Sequence, residues 1–510
     1  VSTIAATPVR RLLVGFASES GNARALAQRL GADPGLQALA PQVLPFNDID
    51  VASLGQGDVL LAISSSFGDG EPPANGERFF QSVCQTGSLP GLRYAVFGLG
   101  DTGYPRFCGF TRALDAALSE RQAQPLLRRV DADLGYERFF QQWQPVLRQV
   151  LEGDAAAGQD LHLQVTAYGD DNAFAAPIVE RRRVNSSDPA AWHLQLDIAG
   201  SGMAYRAGDT VHVLPDHDPA LLQALATWYG DNAAIAMLQD RELRLLGRGV
   251  LRELARLGGS ERLKSLLKVS QKRELDAYLH GLDVLDILQD HASPDRVPLA
   301  RLRDLLSARL PRAYSIASHP GNGQLSLCIR EVRYSLRGRE RSGTATGSLL
   351  RGGSHARVYC RSNPGFHLAD TGSAPLLLVG TGTGIAPLIG LVQQVQANGC
   401  GRELHLVFGE KHCEHDYLYR EQLQDWHARG VLAGLHPAFS RDGTEKVYVQ
   451  HVLRQRAREV RQVLSRGGHL YLCGNKRHLE DAVREAIDAI GGQGHWDLLR
   501  GEGRIHCELY

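Results

Sequence analysis

No stretch of this chain approaches the ~18 apolar residues that a membrane-spanning helix needs, so none is expected. An excess of charge is missing too, because 56 basic residues face 56 acidic ones. A chain without a basic surplus is a poor candidate for nucleic acid as its main partner. The opening "VSTIAATPVRRLLVGF" has only a short apolar run that leads into a strand-like segment, and no signal peptide is expected. Cysteine never occurs as C-x-x-C; eight are scattered at 84, 108, 328, 360, 400, 413, 473 and 507. That pattern indicates neither a zinc site nor a disulfide framework, no metal is expected, and the reducing cytoplasm is the expected compartment. No internal repeat is visible.

What is present is ordinary globular material, 43% hydrophobic and 22% charged. At 510 residues the chain exceeds one core and is expected to form three or more domains. Residues 10–150 alternate buried strands such as "RLLVGFA" with amphipathic helices, and each strand runs into a Gly/Ser loop. That pattern predicts a doubly wound parallel sheet with ligands at the carboxyl ends of its strands. "LEGDAAAGQD" (151–160) is small, polar and unpatterned, and reads as a linker. Residues 161–218 and 300–370 alternate like half-exposed antiparallel strands, beginning with "HLQVTAYG", and a helical insertion over 219–299 interrupts them. Residues 371–510 return to α/β alternation.

"SESGNA" (18–23) joins a strand to a helix, where backbone N–H groups and hydroxyls can hold a phosphate. A plain helix cap is the competing reading. "SSFGDGEPPANG" and "FGLGDTGYPRFC" follow two further strands at the same sheet edge, each with one aromatic, Phe67 and Tyr104. Two such rings either sandwich a flat ligand or simply pack their loops. In "RLPRAYSIASHP" (309–320) alternation puts Arg312 and Tyr314 on one face and Ser315 on the other. The strand is a solvated edge or a phosphate and ring contact. "SGTATGSLL" (342–350) opens a helix with small residues that suit a pyrophosphate.

"VGTGTGIAPLIG" (379–390) fails the G-x-G-x-x-G register, and no clear acid follows about 20 residues later to hold a ribose diol. "SRDGTEKVYVQ" (440–450) instead offers Ser440, Arg441, Lys446 and Tyr448. Two cations and two hydroxyls suit a dianionic 2′-phosphate, although a solvated charged turn has the same composition. Cys473, in "YLCGNKRHLEDAV" (471–483), ends a buried strand and could be an inert core thiol.

Together these motifs resemble the NADPH-dependent diflavin reductases over residues 11–510, and within them the flavoprotein of assimilatory sulfite reductase, through "RVDADLGY", "RAYSIAS" and "EKVYVQ". The resemblance implies a multidomain α/β fold: a flavodoxin-like FMN domain, an FAD-binding β-barrel with a helical insertion, and a ferredoxin–NADP reductase-like NADPH domain. Ser18, Glu19, Ser20, Gly21, Asn22 and Ala23 would bind the FMN phosphate. Ser65, Ser66, Phe67 and Gly68 would pass one flavin face. Leu99, Gly100, Asp101, Thr102 and Gly103 would pass the other, continuing through Tyr104, Pro105, Arg106, Phe107 and Cys108. Asp131 would lie near the ribityl or phosphate end.

For FAD the implied contacts are Arg312, Ala313, Tyr314 and Ser315, with Gly343, Thr344, Ala345 and Thr346 at the pyrophosphate and Tyr334 nearby. For NADPH they are Gly382 and Thr383, then Ser440, Arg441, Lys446, Val447, Tyr448, Val449 and Gln450. Ser315, Cys473 and Glu508 would form the hydride-transfer network, and Tyr510 would cover the flavin where nicotinamide lands. The sequence departs from the family pattern at Glu19, Asn475, Ala482 and Glu508. Against the resemblance, the given start reads shorter than the family's usual form, and no membrane anchor is expected.

The implied activity is electron transfer from NADPH to FAD to FMN and on to an external acceptor protein. That acceptor would be the sirohaem, iron–sulfur haemoprotein that reduces sulfite to sulfide, with the linker letting the FMN domain swing. A diflavin reductase serving a haem monooxygenase or an iron–sulfur protein is the alternative enzyme, and a flavin-binding sensor the alternative class.

Overall fold

A computed structural model describes residues 8–510 except 19–20, 67–69, 102–105, 134–135, 155, 159–160, 162, 166–167, 370–371 and 400. The chain divides into two units: residues up to 169 with 201–205 and 360–362, and the remainder. In the first, the continuous apolar runs become central strands buried on both faces, flanked by two more exposed end strands, the second and fifth of the six. They are β1 (Arg11–Ala17), β2 (Gln42–Pro45), β3 (Asp58–Ser65), β4 (Arg93–Leu99), β5 (Gln124–Pro125) and β6 (Val130–Ala132). Among the described residues all of their pairings are parallel, in the order β2-β1-β3-β4-β5, with β6 beside β4.

Alternation sends Leu12, Val14, Leu61, Ile63 and Phe97 to one core with Phe140 and Trp143, and Leu13, Leu60, Ala62 and Val96 to the other with Phe46, Phe79 and Phe110. The connections leave β1 in opposite senses towards β2 and β3, so the loops after β1, β3 and β4 share one sheet edge. Beyond 151–160, Leu161 and Leu163 pack against this same core, and Gln164 bridges Asp131. "HLQVTAYG" therefore forms no strand among its described residues; its apolar positions cap an existing core.

The second unit opens with β7 (Phe174–Arg183), β8 (Ala191–Asp197), β9 (Thr210–Leu214), β10 (Arg312–Ser315) and β11 (Gln324–Arg330). A hairpin of β12 (Arg333–Leu336) and β13 (Arg339–Ser342) precedes β14 (His355–Arg361). The sheet runs β10-β9-β14-β7-β8-β11. The expected barrel is corrected to an open path: its end strands meet at one bridge, Ile316 to Leu327, and not along a ladder. β10 is only four residues long, and it ends at Ser315, before the single bridge that the chain makes to β11.

A helical segment lies between β9 and β10, from Pro219–Tyr229 through Leu299–Leu305, around its own Leu-rich core. A second parallel sheet closes the unit: β15 (Leu376–Thr381), β16 (Leu404–Glu410), β17 (Gly434–Phe439), β18 (His469–Gly474) and β19 (Ile505–Leu509), in the order β17-β16-β15-β18-β19. The tail "GRIHCELY" is thus an edge strand, in register with Cys473 at Glu508.

A buried ion cluster ties the hairpin to the insertion. Arg341 donates to both oxygens of the fully buried Asp286, at 2.7 and 2.9 Å, and Arg339 adds a bond at 2.6 Å. Asp283 and Asp286 also cap the helix Val284–His291 reciprocally. Burial works against ionisation of Asp286, but the two arginines and the Asp283 N–H outweigh it and hold the carboxyl well below its usual range. Its stabilisation is present above the unfolded pKa and is lost as pH falls through the folded one. Replacing Asp286 with Ala takes two of its five hydrogen bonds from the buried Arg341, and urea unfolding of this unit is expected to show a loss of about 3–5 kcal/mol.

Candidate functional site

Three loops at the first sheet edge carry the residues expected around FMN. Gly21 adopts φ +87° ahead of the helix Asn22–Gly31, and nothing crowds its missing Cβ. Its N–H donates to Ser18 Oγ at 2.9 Å, while the Ser18 N–H donates to Asn75 Oδ1. Ala23 is fully buried and anchors that helix. Ser65 ends β3, and Ser66 joins the third loop twice: its N–H donates to Leu99 O, and its Oγ accepts from the Phe110 N–H. Gly100 N–H donates to Ala132 O, which fixes Asp101 just beyond the sheet edge.

Arg106 is exposed, Phe107 and Cys108 are buried, and Cys108 sits at φ +51° as the cap of the helix Gly109–Glu120. Asp131 is buried beneath Arg129, at 2.8 Å, and Arg112, at 3.3 Å, so both arginines already engage its carboxylate. Glu19, Ser20, Phe67, Gly68, Thr102, Gly103, Tyr104 and Pro105 lie outside the described residues. The open left-handed turn at Gly21, ahead of a helix, is a frame that suits the phosphate end of FMN.

In the second unit, β10 displays Arg312, Ala313, Tyr314 and Ser315. Arg312 pairs with the buried Glu242 at 3.3 Å, and Glu242 is itself fixed by the N–H groups of Arg244, Leu245 and Leu310. Burial pushes the Tyr314 phenol up to about 12, so it stays protonated. Gly343 precedes the helix Thr344–Leu350, in which Ala345 and Thr346 are buried. Thr346 Oγ1 has no partner there, a buried hydroxyl that fits a polar ligand. Tyr334 instead hands its hydroxyl to Gly281 O at 2.9 Å and so braces the hairpin.

The residues expected at the nicotinamide come together from three strands. Ser315 Oγ donates to Glu508 Oε1 at 2.5 Å, and Asn363 Nδ2 reaches Glu508 Oε2 at 3.5 Å. Cys473 neighbours Glu508 across β18–β19 and is fully buried. Burial pushes its thiol well above the usual value, with the Glu508 charge adding to the effect, so Cys473 is a neutral thiol. Gly384 lies so close that a Cβ would stand 2.3 Å from Cys473 O, which explains the small residues of the Gly-rich turn. Tyr510 is pinned through its main chain to Gly474 and Lys476, and its hydroxyl shares a 2.8 Å hydrogen bond with Thr383. The residue as a whole is 57% exposed.

Tyr510 also lines a cavity of about 750 Å³ at the carboxyl ends of β15, β16 and β17. Gly382, Thr383, Ser440, Val447, Tyr448, Val449 and Gln450, all named from the sequence, line it. Arg441 and Lys446 are exposed and are not among its lining residues. Sequence reasoning missed Arg330, Glu410 and Lys411 in the wall. Arg330 pairs with Glu410, so an acid does stand at this edge, neutralised by a cation from β11. Glu410 and Lys411 were signalled by their place at the carboxyl end of a parallel strand; Arg330 and Asn363 had no local signal. Asn475 and Ala482, two departures from the family pattern, both line the cavity. The shape and the hydroxyl and cationic donors fit a nucleotide phosphate.

Burial raises the Glu508 carboxyl from 4.5 to about 7; the Ser315 hydrogen bond works against this and the Asp209 charge adds to it. Between those values the folded chain keeps a proton that the unfolded chain releases, so stability falls as pH rises through that window. Glu508→Gln is expected to flatten this slope in thermal melts from about pH 4.5 to 7.

Comparison with known proteins accounts for this arrangement. The chain matches family models described as flavodoxin over residues 14–164, FAD binding domain over 168–244 and oxidoreductase NAD-binding domain over 378–485. These domains make it a flavoprotein oxidoreductase that uses FMN, FAD and NADPH. It is 31% identical to the sulfite reductase (NADPH) flavoprotein alpha-component of Bacillus subtilis, covering 97% of this chain and 87% of that one. It is also 31% identical to the proteins of that name from Serratia proteamaculans, over 97% and 89%, and Cronobacter sakazakii, over 99% and 91%. At that identity and coverage, the chain belongs to the sulfite reductase (NADPH) flavoprotein alpha-component family.

Proposed function

We propose that this chain draws electrons from NADPH and delivers them one at a time to a separate haemoprotein that reduces sulfite to sulfide in the cytoplasm. When bound, NADPH supplies hydride and the flavin pair converts its two electrons into single-electron deliveries. The observation that carries the reading is the convergence of Ser315, Cys473, Glu508 and Tyr510 beside a cavity lined by Ser440 and Tyr448.

The chain's own groups have separable tasks. Ser315 and Asn363 fix the Glu508 carboxyl, which holds or releases a proton near neutral pH beside the reacting centre. Cys473, neutral and buried, gives the nicotinamide a polarizable, uncharged wall. Tyr510 occupies the rim and must shift for the nicotinamide to stack, a gating step. Ser440, Arg441, Lys446 and Tyr448 hold the 2′-phosphate, the exposed Arg441 and Lys446 closing on it from solvent. Ser18 and Gly21 with their loop hold FMN, and Arg312 and Thr346 hold FAD.

The described cysteines are all free thiols, which suits a reducing compartment. No helix among the described residues is long and apolar enough to cross a membrane. The names of the relatives favour a sulfite-reducing acceptor over a haem monooxygenase.

The test is reconstitution. The flavin-loaded chain is expected to reduce ferricyanide and cytochrome c with NADPH, and to support sulfide formation with a sirohaem, iron–sulfur haemoprotein. Ferricyanide turnover without sulfide formation would remove the acceptor assignment, and no turnover at all would remove the enzyme reading. Losing one charge-assisted phosphate contact costs about 1.5–3 kcal/mol, so Arg441→Ala or Lys446→Ala should raise KM for NADPH at least about tenfold and leave NADH almost unchanged. Deleting Tyr510 should tighten NADP⁺ binding and narrow the preference for NADPH over NADH in equilibrium titrations.

A further inference from the structure

The amino ends of β16 and β17 lie opposite the cavity, and three ligand-type side chains from separate elements meet there. His405 is on β16, His436 on β17 and Glu459 on the helix Ala457–Ser465. Glu459 Oε1 stands 2.7 Å from His405 Nδ1 and 2.9 Å from His436 Nε2. The three donor atoms all lie within 4.8 Å of one another. Gly434 makes the space: a Cβ on it would stand 2.6 Å from His405 Nδ1, 2.7 Å from Glu459 Oε1 and 2.9 Å from His436 Nε2. Room is what requires glycine here, since its backbone is not left-handed.

Outside this cradle, His405 Nε2 faces Glu403 Oε1 at 2.7 Å, and Glu403 Oε2 accepts from Arg466 at 2.6 Å. Metal-bound histidines are held in this way, with the far N–H given to a carboxylate that is itself anchored. His405 therefore has a carboxylate oxygen on each ring nitrogen. A neutral imidazole has a single N–H and can donate to only one of them. A divalent cation would give the remaining lone pair a partner and satisfy Glu459 and His436 together.

We propose that His405, His436 and Glu459 bind one divalent cation of the zinc class, with water as a fourth ligand. Two imidazoles and a carboxylate are a ligand set suited to zinc, whereas magnesium and calcium prefer all-oxygen sites. Metal–ligand distances of about 2.0–2.1 Å spread tetrahedral donors to roughly 3.3 Å, so the site must open by about half an ångström. The Glu459 side chain is 30% exposed and can move by that amount, and solvent can reach the site. None of the three lines the cavity or belongs to the Ser315–Glu508 cluster. The ion would clamp the edge strand β17 and its covering helix to β16. A hydrogen-bonded clamp without metal is the competing outcome.

The flavin-loaded chain, stripped with a chelator, is dialysed against limiting Zn²⁺ in competition with a chromophoric chelator. One high-affinity equivalent is expected that disappears in His436→Gln and in Gly434→Ala. Glu403→Gln is expected to weaken it by about 10- to 100-fold. Thiols elsewhere can also take zinc, so the difference between the chain and its variants is what counts. Far-UV circular dichroism, flavin absorbance and ferricyanide turnover should match in the chain and His436→Gln. No high-affinity equivalent, or one that persists in a folded His436→Gln, would overturn the proposal.

Discussion

The hydrogen bond from Ser315 to Glu508 is the contact on which the rest of the second unit's site depends. Ser315 ends the short strand β10 of the antiparallel sheet, and Glu508 lies near the end of β19 at the edge of the parallel one. Joining them puts a carboxyl from one sheet against a hydroxyl from the other, with Cys473 beside it in register. The resemblance led one to expect Asp at 508; the longer Glu still reaches Ser315, at 2.5 Å. A half-buried carboxyl with one strong donor and one weak one is held, yet it is not locked into its ionised form.

Charge elsewhere in the molecule is arranged to orient more than to neutralise. Arg312, expected at a phosphate, leans on Glu242, whose carboxylate also accepts three backbone N–H groups. A guanidinium has five N–H donors, so one carboxylate partner aims it without exhausting it. Arg330 plays the complementary part at the cavity, where it offsets Glu410 in a wall shared with Lys411, Ser440 and Tyr448. Asp131 is the opposite case. Two arginines engage it, and it sits 2% exposed, so its visible role is to hold the loop-bearing end of the first sheet together.

Much of the fold was legible because buried parallel strands announce themselves as unbroken apolar runs ending in Gly or Ser. "RLLVGFA", "DVLLAISS" and "HLYLCG" each became the strand expected of them. "HLQVTAYG" misled because alternation records only which residues are apolar. Leu163 satisfies it by joining an existing core, beside a single parallel bridge from Gln164 to Asp131. Barrel closure was equally illegible, since whether two end strands pair depends on their lengths and on the path between them.

By itself the sequence determined the phosphate-type loops, the small residues at helix starts and the hydroxyl–cation string at 440–450, because each is a local demand of backbone geometry or ligand charge. Only the tertiary structure decided which distant groups meet. Arg330 with Glu410, Asn363 with Glu508, and His405 with His436 and Glu459 are far apart in the chain and share no spacing rule. They become neighbours because the packing of strands, loops and helices, and not sequence order, sets adjacency. The tail shows both halves of the argument. Its residues named an acid and an aromatic, but pairing β19 to β18 turned them into a held carboxyl and a ring at the rim of a cavity.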